Sequence, residues 1–345
     1  MSAKKTSINE YVINEPHLAP TMGRNLATLL DRICQACRKI DLVLGRAALD
    51  GMLGETGDVN VQGESVKKLD ALGNEVFVEA LRDSRVVCTL VSEEIKEPLH
   101  FDSSCPHANF IVCFDPVDGS SNLDVNGVLG TIFSIRSKTG TGPEHVAKDA
   151  LAKGQKQFAA GYVMYGPSTV LGFTCGYGVY CFTLDRASGQ FLMTHENVRI
   201  PGRGKTYSVN EGNSHFWHAQ TRRFVEFLRT PDAETGACRS LRYVGSMVAD
   251  LHRTLLEGGI FLYPADDENS DIPCKAKKLY PTGKLRLLYE AAPFALIVEQ
   301  GGGAASTGKE RILEVEPASY HQRVPLMIGS AEDVALGEKF CRNEL

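Results

Sequence analysis

The chain has 345 residues, with 37 Lys and Arg against 42 Asp and Glu, a formal charge of −5, and a composition 43% hydrophobic and 23% charged. Those proportions exclude disorder, collagen and coiled coil, and the length predicts two domain-like units that share an interface. A mildly acidic chain without a Lys/Arg-rich run has no electrostatic footprint for nucleic acid or a charged membrane surface, so a small ligand is expected. Ten cysteines are scattered from Cys34 to Cys341. They are too dilute for a disulfide scaffold, and free thiols in a reducing compartment are expected. Met1 to Lys5 leads into no apolar segment, and no window reaches the roughly 18 apolar residues of a membrane span. A soluble, cytoplasmic protein follows as the expectation. Asn343-Glu344-Leu345 shares only its last residue with the peroxisomal Ser-Lys-Leu address, so a peroxisome-like organelle would need an address that the chain as given lacks.

In chain order, Leu26, Leu29, Leu30, Ile33, Cys37, Ile40 and Leu44 recur at three- and four-residue steps, which predicts a core-facing helix from Asn25 that ends at Gly45. Cys34 and Cys37 lie within it and read as half-buried thiols rather than a metal or redox pair. Asp50 to Gly63 carries four glycines among polar residues and reads as a mobile loop. A helix over Ser65–Leu81 follows, then a strand from Arg85 to Val91 that stops at Ser92-Glu93-Glu94, and a second from Phe110 to Phe114 that stops at Asp115-Pro116. From Gly130 to Asp185 β-branched and aromatic residues predict a mixed sheet with Gly176-Tyr177-Gly178 as a hairpin turn. Pro201-Gly202-Arg203-Gly204 marks the domain boundary. Beyond it come helices near His215–Leu228 and Val248–Glu257, a strand Ile260–Tyr263, a helix from about Lys284 to Gln300 interrupted by Pro293, and a terminal strand and helix. The pattern is layered α/β.

The most informative segment is Phe110-Ile-Val-Cys-Phe-Asp115-Pro-Val-Asp118-Gly-Ser120-Ser121-Asn122. Two carboxylates three residues apart at the mouth of a sheet repel each other unless a cation lies between them. Gly119-Ser120-Ser121 adds small residues with free backbone N–H groups, a ready anion site. An ordinary Asp-Pro turn with a helix cap is the plainer reading of this segment alone. Glu93-Glu94, Glu64 and Asp70 bring the acids to six, although a Glu-Glu pair by itself is more often a solvated strand end. Hard oxygen donors without clustered His or Cys suit Mg²⁺ or Mn²⁺ and argue against zinc. The chemistry implied is metal-assisted hydrolysis of a phosphate ester.

From about Asn25 to its end the chain resembles the class I fructose-1,6-bisphosphatases. The match is carried by Val66-Lys-Lys-Leu-Asp70, Val91-Ser-Glu-Glu94, Cys113 to Asn122, Asn210-Glu-Gly212, Arg242 to Asp250, Gly258 to Pro264 and Gly283 to Glu290. The segment Asp115 to Ser121 alone marks only the wider lithium-sensitive sugar and inositol phosphatase superfamily. The resemblance implies a layered α-β-α-β-α sugar phosphatase fold with two sheet-containing subdomains: an N-terminal metal-site and regulatory domain over 1–200 and a C-terminal sugar-bisphosphate-binding domain over 201–345. It implies that Glu93, Asp115, Asp118 and Glu290 ligate the metals, with the Val117 carbonyl and Glu64 completing the cluster. Asp70 and Glu94 would orient and deprotonate the attacking water. Gly119, Ser120 and Ser121 would hold the 1-phosphate, Asn210, Tyr243, Tyr263 and Lys284 the 6-phosphate, and Met247 the sugar. Arg242 would reach into a neighbouring subunit's site, which implies a homo-oligomer, a tetramer by analogy.

Taken alone, Tyr243 and Tyr263 among apolar neighbours read as core aromatics. Lys284 and Arg286 at a helix start would oppose the macrodipole, which favours an anion-binding role. Two departures concern regulation and the distal clamp. The family's AMP-inhibition site offers a Lys-Tyr pair where this chain has Asn109 and Phe110, and a Thr where it has Ala27. AMP binding is then expected to rest on backbone amides around Gly23, Arg24, Asn25 and Leu26 at a helix N-terminus, with Arg136 supplying the lost charge. A 6-phosphate Tyr is replaced by Asn213. Gly245-Ser246-Met247 favours a fructose over a sedoheptulose-1,7-bisphosphatase. A catalytically dead relative acting as a nucleotide sensor would have no reason to keep six mutually repelling acids.

Overall fold

The computed structural model describes residues 5–59, 65–101, 107–140, 142–231, 236–268 and 278–345. Ser7 and Glu10 exchange hydrogen bonds as a capping box that starts α1 (Ile8–Ile13). Helix α2 (Pro20–Leu44) begins on a proline, whose missing N–H costs nothing in a first turn, and stops at Gly45 as its sequence predicts. Its apolar face, with Leu29, Leu30 and Ile33 fully buried, packs with α3 (Lys68–Asp83) on one face of a sheet. Burying one such side chain stabilises the fold by about 1.5–3 kcal/mol.

The sheet has eight strands: β3 (Val87–Ser92), β4 (Leu99–His100), β5 (Phe110–Asp118), β6 (Leu129–Ser137), β7 (Gln157–Tyr165), β8 (Thr169–Thr174), β9 (Tyr180–Asp185) and β10 (Gln190–His195), in the order β10-β9-β8-β7-β6-β5-β3-β4. The hairpin expected at Gly176–Gly178 joins the antiparallel pair β8 and β9, and both glycines adopt positive φ. Ahead of it, β1 (Glu55–Val59) pairs antiparallel with β2 (Ser65–Lys67), and the short α4 (Pro143–Ala150) packs against β5 and β6.

The second half supplies β11 (Thr206–Ser208), α5 (Ala219–Arg229), β12 (Ser240–Leu241), α6 (Met247–Glu257), β13 (Ile260–Tyr263), β14 (Leu285–Arg286), α7 (Ala292–Gln300), β15 (Ala304–Ser306), β16 (Arg323–Val324), β17 (Leu326–Gly329) and α8 (Ala331–Cys341). Five of its strands form a sheet in the order β12-β11-β13-β17-β15. Alternation along each strand sorts the layers. Phe110, Val112 and Phe114 face α2 and α3, whereas Ile132 and Tyr162 share a core with Val248 and Leu251 of α6 and Phe294 and Ile297 of α7. The same core continues to Phe261 and Ile328 of the five-stranded sheet, whose other face carries Ile260, Leu262 and Met327 against α5 and α8. The architecture is α-β-α-β-α, with α6 and α7 as the shared middle layer.

Four expectations are corrected. The segment after Asp50 is not wholly loop, because Glu55–Val59 is a paired strand; residues 60–64, including Glu64, lie outside the described residues. The helix expected from Ser65 starts at Lys68, with Ser65–Lys67 drawn into β2. Lys284 does not open a helix: it precedes β14, and a π-helical turn over Leu287–Ala291 leads into α7, so the macrodipole argument for Lys284 and Arg286 falls away. Pro293 explains the widened turn, since it has no N–H for the carbonyl four residues earlier. Finally, Cys34, Cys37, Cys113, Cys175, Cys181, Cys238 and Cys341 are free, but Cys88 is disulfide-bonded. A disulfide joins residues that the fold brings together, which spacing along the chain does not reveal. Among the described residues no helix is long and apolar enough to cross a membrane.

Candidate active site

The strand expected to stop at Asp115-Pro116 continues through Pro116 to Asp118, and that continuation builds the site. Asp115 pairs with Ile132 and Asp118 with Gly130, so three steps along β5 match two along β6. The extra residue is a β-bulge at Pro116-Val117, where the missing proline N–H is tolerated. In a regular strand residues three apart face opposite sides; the bulge restores parity and puts both carboxylates on one side. The Thr131 hydroxyl donates to the Pro116 carbonyl (2.7 Å) and the Val117 N–H to Asp115 Oδ1 (3.0 Å), which fixes the distortion.

Glu93 arrives by parallel pairing. Ser92 lies opposite Phe114, and the Glu93 N–H donates to the Phe114 carbonyl, so the next rung sets Glu93 beside Asp115. Glu290 arrives from the π-helical turn, its Oε2 accepting the Arg286 N–H at 2.6 Å. One carboxylate oxygen each from Asp115, Asp118 and Glu290 lies within 4.8 Å of the other two, all three buried. Asp118 Oδ2 accepts from the Ser246 hydroxyl (2.7 Å) and the Val248 N–H (2.9 Å) at the N-terminus of α6, where Ser246 is the helix cap. That helix end favours negative charge and ties the two halves of the chain together at one carboxylate.

Burial and mutual repulsion hold these acids far from their ordinary values. Burial pushes Asp118 up to about 6, offset by its donors from α6. Burial and Glu93 push Glu290 up to about 8. Asp115 is raised well above its ordinary value by burial and then by Glu93, Asp118 and Glu290. The buried Arg286 is the local counter-charge, its Nη2 3.0 Å from Glu93 Oε1. Asp70, one turn into α3, is pushed up to about 6 by burial. Its Oδ2 accepts the Lys67 N–H (3.0 Å), while its buried Oδ1 has no protein partner. Converging oxygens, an orphaned carboxylate oxygen and raised carboxyl groups fit a hard divalent cation better than they fit a metal-free core.

A cavity of 620 Å³ opens over this cluster. Its floor carries Asp70, Glu93, Glu94, Asp115, Val117, Asp118 and Glu290, with Gly119, Ser120 and Ser121 beside them. Gly119 has φ +76°, and a Cβ there would meet Ser246 at 2.7 Å, so only glycine lets the turn approach α6 so closely. Asn210, Tyr243, Met247, Tyr263 and Lys284 line the rest. Tyr243 is pushed up to about 12 by burial and by Tyr263, with Lys284 opposing, which records how closely these three groups sit.

Two family models, described as the N-terminal and C-terminal domains of fructose-1,6-bisphosphatase, match residues 6–196 and 200–342. The chain belongs to the fructose-1,6-bisphosphatase family. A class 1 fructose-1,6-bisphosphatase of Trichormus variabilis is 45% identical over 339 residues, 98% of this chain and 93% of its own. A cytosolic fructose-1,6-bisphosphatase of Oryza sativa subsp. indica is 46% identical over 329 residues, 95% of this chain and 93% of its own. The structure of Leishmania major fructose-1,6-bisphosphatase in holo form superposes with a TM-score of 0.88 at 37% identity, covering 99% of each chain.

Within this family frame the remaining predicted residues divide. Arg242 is exposed, donates to the Leu241 carbonyl and does not line the cavity of its own chain. The expected AMP cluster is only partly assembled. The Asn25 amide donates to Asn109 Oδ1 at 2.5 Å, so those two side chains do meet. Because α2 starts at Pro20, the Gly23 N–H already donates to the Ala19 carbonyl and Arg24 to Ala27 lie within the helix; their amides are not at its N-terminus. Leu26, Ala27 and Phe110 are buried in the first core. Arg136 pairs with Ile111 on the other sheet face, 1% exposed, its Nη1 donating to the Ala152 carbonyl (2.6 Å), and so faces away from α2. Alternation along β6 decides this, and the expectation that Arg136 supplies the missing charge is corrected. Sequence reasoning gave Arg286 no part beside the metal carboxylates, Ser246 none as cap and Asp118 donor, and Tyr280 none at the cavity wall. The match over Gly283 to Glu290 pointed toward Arg286; nothing local marked Tyr280.

Proposed function

We propose that this chain hydrolyses the 1-phosphate of fructose 1,6-bisphosphate to fructose 6-phosphate and phosphate with Mg²⁺ or Mn²⁺ as cofactor, in the cytoplasm, as gluconeogenesis requires. The observation that carries the reading is the convergence of Asp115, Asp118 and Glu290 within 4.8 Å beside Ser120 and Ser121, in a cavity that runs on to Lys284. Asp115, Asp118, Glu290 and Glu93 would hold the cations, with the Val117 carbonyl and Glu64 completing the set. Bound there, the cations would supply Lewis acidity toward the phosphoryl oxygens and the charge that keeps buried carboxylates ionised at neutral pH.

The chain's own residues do the positioning. Gly119, Ser120 and Ser121 hold the reacting phosphoryl group. Asp70, with one free buried oxygen, orients the attacking water and with Glu94 takes its proton. Asn210, Tyr243, Tyr263 and Lys284 grip the 6-phosphate, whose binding energy then holds the reacting group in line, while Met247 packs on the sugar. A homo-oligomer, with Arg242 of one subunit completing the site of the next, belongs to the same proposal. So does regulation by AMP at the corner where Asn25 meets Asn109, with Arg24 as its cation.

Phosphate release from fructose 1,6-bisphosphate, measured with Mg²⁺ and with excess chelator, tests the reading. Full activity in chelator, or no release with either metal, overturns it. Faster release from sedoheptulose 1,7-bisphosphate would transfer the assignment to that sugar.

A further inference from the structure

The cavity over the carboxylates does not end at Lys284. A second cavity of 280 Å³ opens off it and shares Asn210, Tyr263, Tyr280 and Lys284 with it, adding Asn213 and Lys278 to the wall. Tyr280 therefore stands at the junction. Its position is held from the backbone: the Tyr280 N–H donates to Asp266 Oδ2 (2.9 Å), and its carbonyl accepts from the Asp266 N–H (3.1 Å) and the Gly283 N–H (2.9 Å). Its ring is held by charge. The Arg323 guanidinium lies 4.7 Å from the ring centroid and Lys278 Nζ 5.6 Å.

We infer that Tyr280 and Lys278 belong to the subsite for the substrate's non-reacting phosphate, as contacts beyond Asn210, Tyr243, Tyr263 and Lys284; this rests on the bisphosphatase reading above. Lys278, Lys284 and Tyr280 line the same cavity. Asp266, on the same wall, is buried and has one oxygen engaged by the Tyr280 N–H. Two ammonium groups and a phenol on one cavity wall are donors suited to a phosphomonoester dianion. A residue pinned by three backbone hydrogen bonds, with a guanidinium 4.7 Å from its ring centroid, loses little freedom when it binds, so its hydroxyl adds affinity at low entropic cost. Asn213 lines the same cavity and is too short to do what a phenol does, and Tyr280, delivered by a different loop, supplies a phenol to that cavity.

The experiment compares two substrates. Tyr280→Phe keeps the ring and removes only the hydroxyl, and Lys278→Met removes the charge while keeping the stem. Each is assayed with saturating Mg²⁺ on fructose 1,6-bisphosphate and on fructose 1-phosphate, which lacks the distal phosphate. The ratio of the two kcat/KM values is expected to fall about fivefold to tenfold in each variant, through KM rather than kcat. The dissociation constant of fructose 6-phosphate, which carries only the distal phosphate, measured by titration calorimetry, should rise by a similar factor. Equal losses on both substrates, or an unchanged fructose 6-phosphate constant, would overturn the assignment. Failure of the unmodified enzyme to turn over either substrate would instead defeat the bisphosphatase reading, and the fructose 6-phosphate measurement still decides this inference without turnover.

Discussion

Replacing Asp118 by Asn should abolish turnover and yet stabilise the metal-free protein. In the folded chain burial pushes this carboxyl up to about 6, whereas in the unfolded chain it ionises at its ordinary value near 4. The folded state therefore binds more protons than the unfolded state between those values. Stability falls as pH rises through that window, and the deficit persists above it. A shift of about two units corresponds to roughly 3 kcal/mol. Asparagine escapes this cost and keeps the structural contacts, because its carbonyl oxygen accepts from the Ser246 hydroxyl and the Val248 N–H as Oδ2 does now. With about 2.1 cal/mol/K of unfolding entropy per residue over 345 residues, 3 kcal/mol raises Tm by about 4 °C.

Calorimetry of both proteins in chelator at pH 8 and pH 4 provides the measurement. Asp118→Asn should melt higher at pH 8, and the gap should close toward pH 4. Added Mg²⁺ should raise Tm more in the parent than in the variant, since only the parent retains the full acid set. A lower Tm for the variant at pH 8, or a gap independent of pH, would show that charge repulsion does not govern this cluster.

Three further predictions follow from the geometry. The Tyr289 hydroxyl donates to His321 Nδ1 (2.8 Å) and His321 Nε2–H to the Lys96 carbonyl (3.0 Å), linking the π-helical turn that bears Glu290 to the segment after Glu93-Glu94; His321→Phe should raise the Mg²⁺ concentration for half-activation about threefold to tenfold with KM nearly constant and His321→Gln recovering part of the loss, and an unchanged Mg²⁺ requirement refutes it. Arg242→Ala mixed with an Asp118→Asn protein should turn over substrate with a lower KM than Arg242→Ala alone, while Asp118→Asn alone stays inactive, because intact sites form from one subunit of each; absence of complementation counts against a shared site. Arg24→Ala should raise the AMP concentration for half-inhibition several-fold without altering activity in its absence, whereas identical titration curves would remove the corner between α2 and Asn109 from AMP binding.

Local chemistry made much of this protein legible along the chain. The helical period of α2 and its glycine stop, the strand ending at Glu93, the turn at Gly176–Gly178 and the run from Asp115 to Ser121 each depend on near neighbours, so the sequence carries them directly. The six acids could likewise be named one by one. What brings Asp115 and Asp118 to one side is a bulge, whose existence depends on how β5 registers against β6, and a partner strand's register is not written in either strand alone. The same holds for Arg136. Its place in the sequence suggested a cation near α2, but alternation combined with the actual pairing turned it to the opposite sheet face. The π-helical turn ahead of Pro293 took Lys284 out of a helix and brought Arg286 against Glu93. Tyr280 acquired its place from a hydrogen-bonded pairing with Asp266 and a guanidinium from a distant strand. Residue types and local periods set which groups the protein has and which elements carry them. Register, bulges and packing between layers, which are long-range and cooperative, decided which of those groups meet.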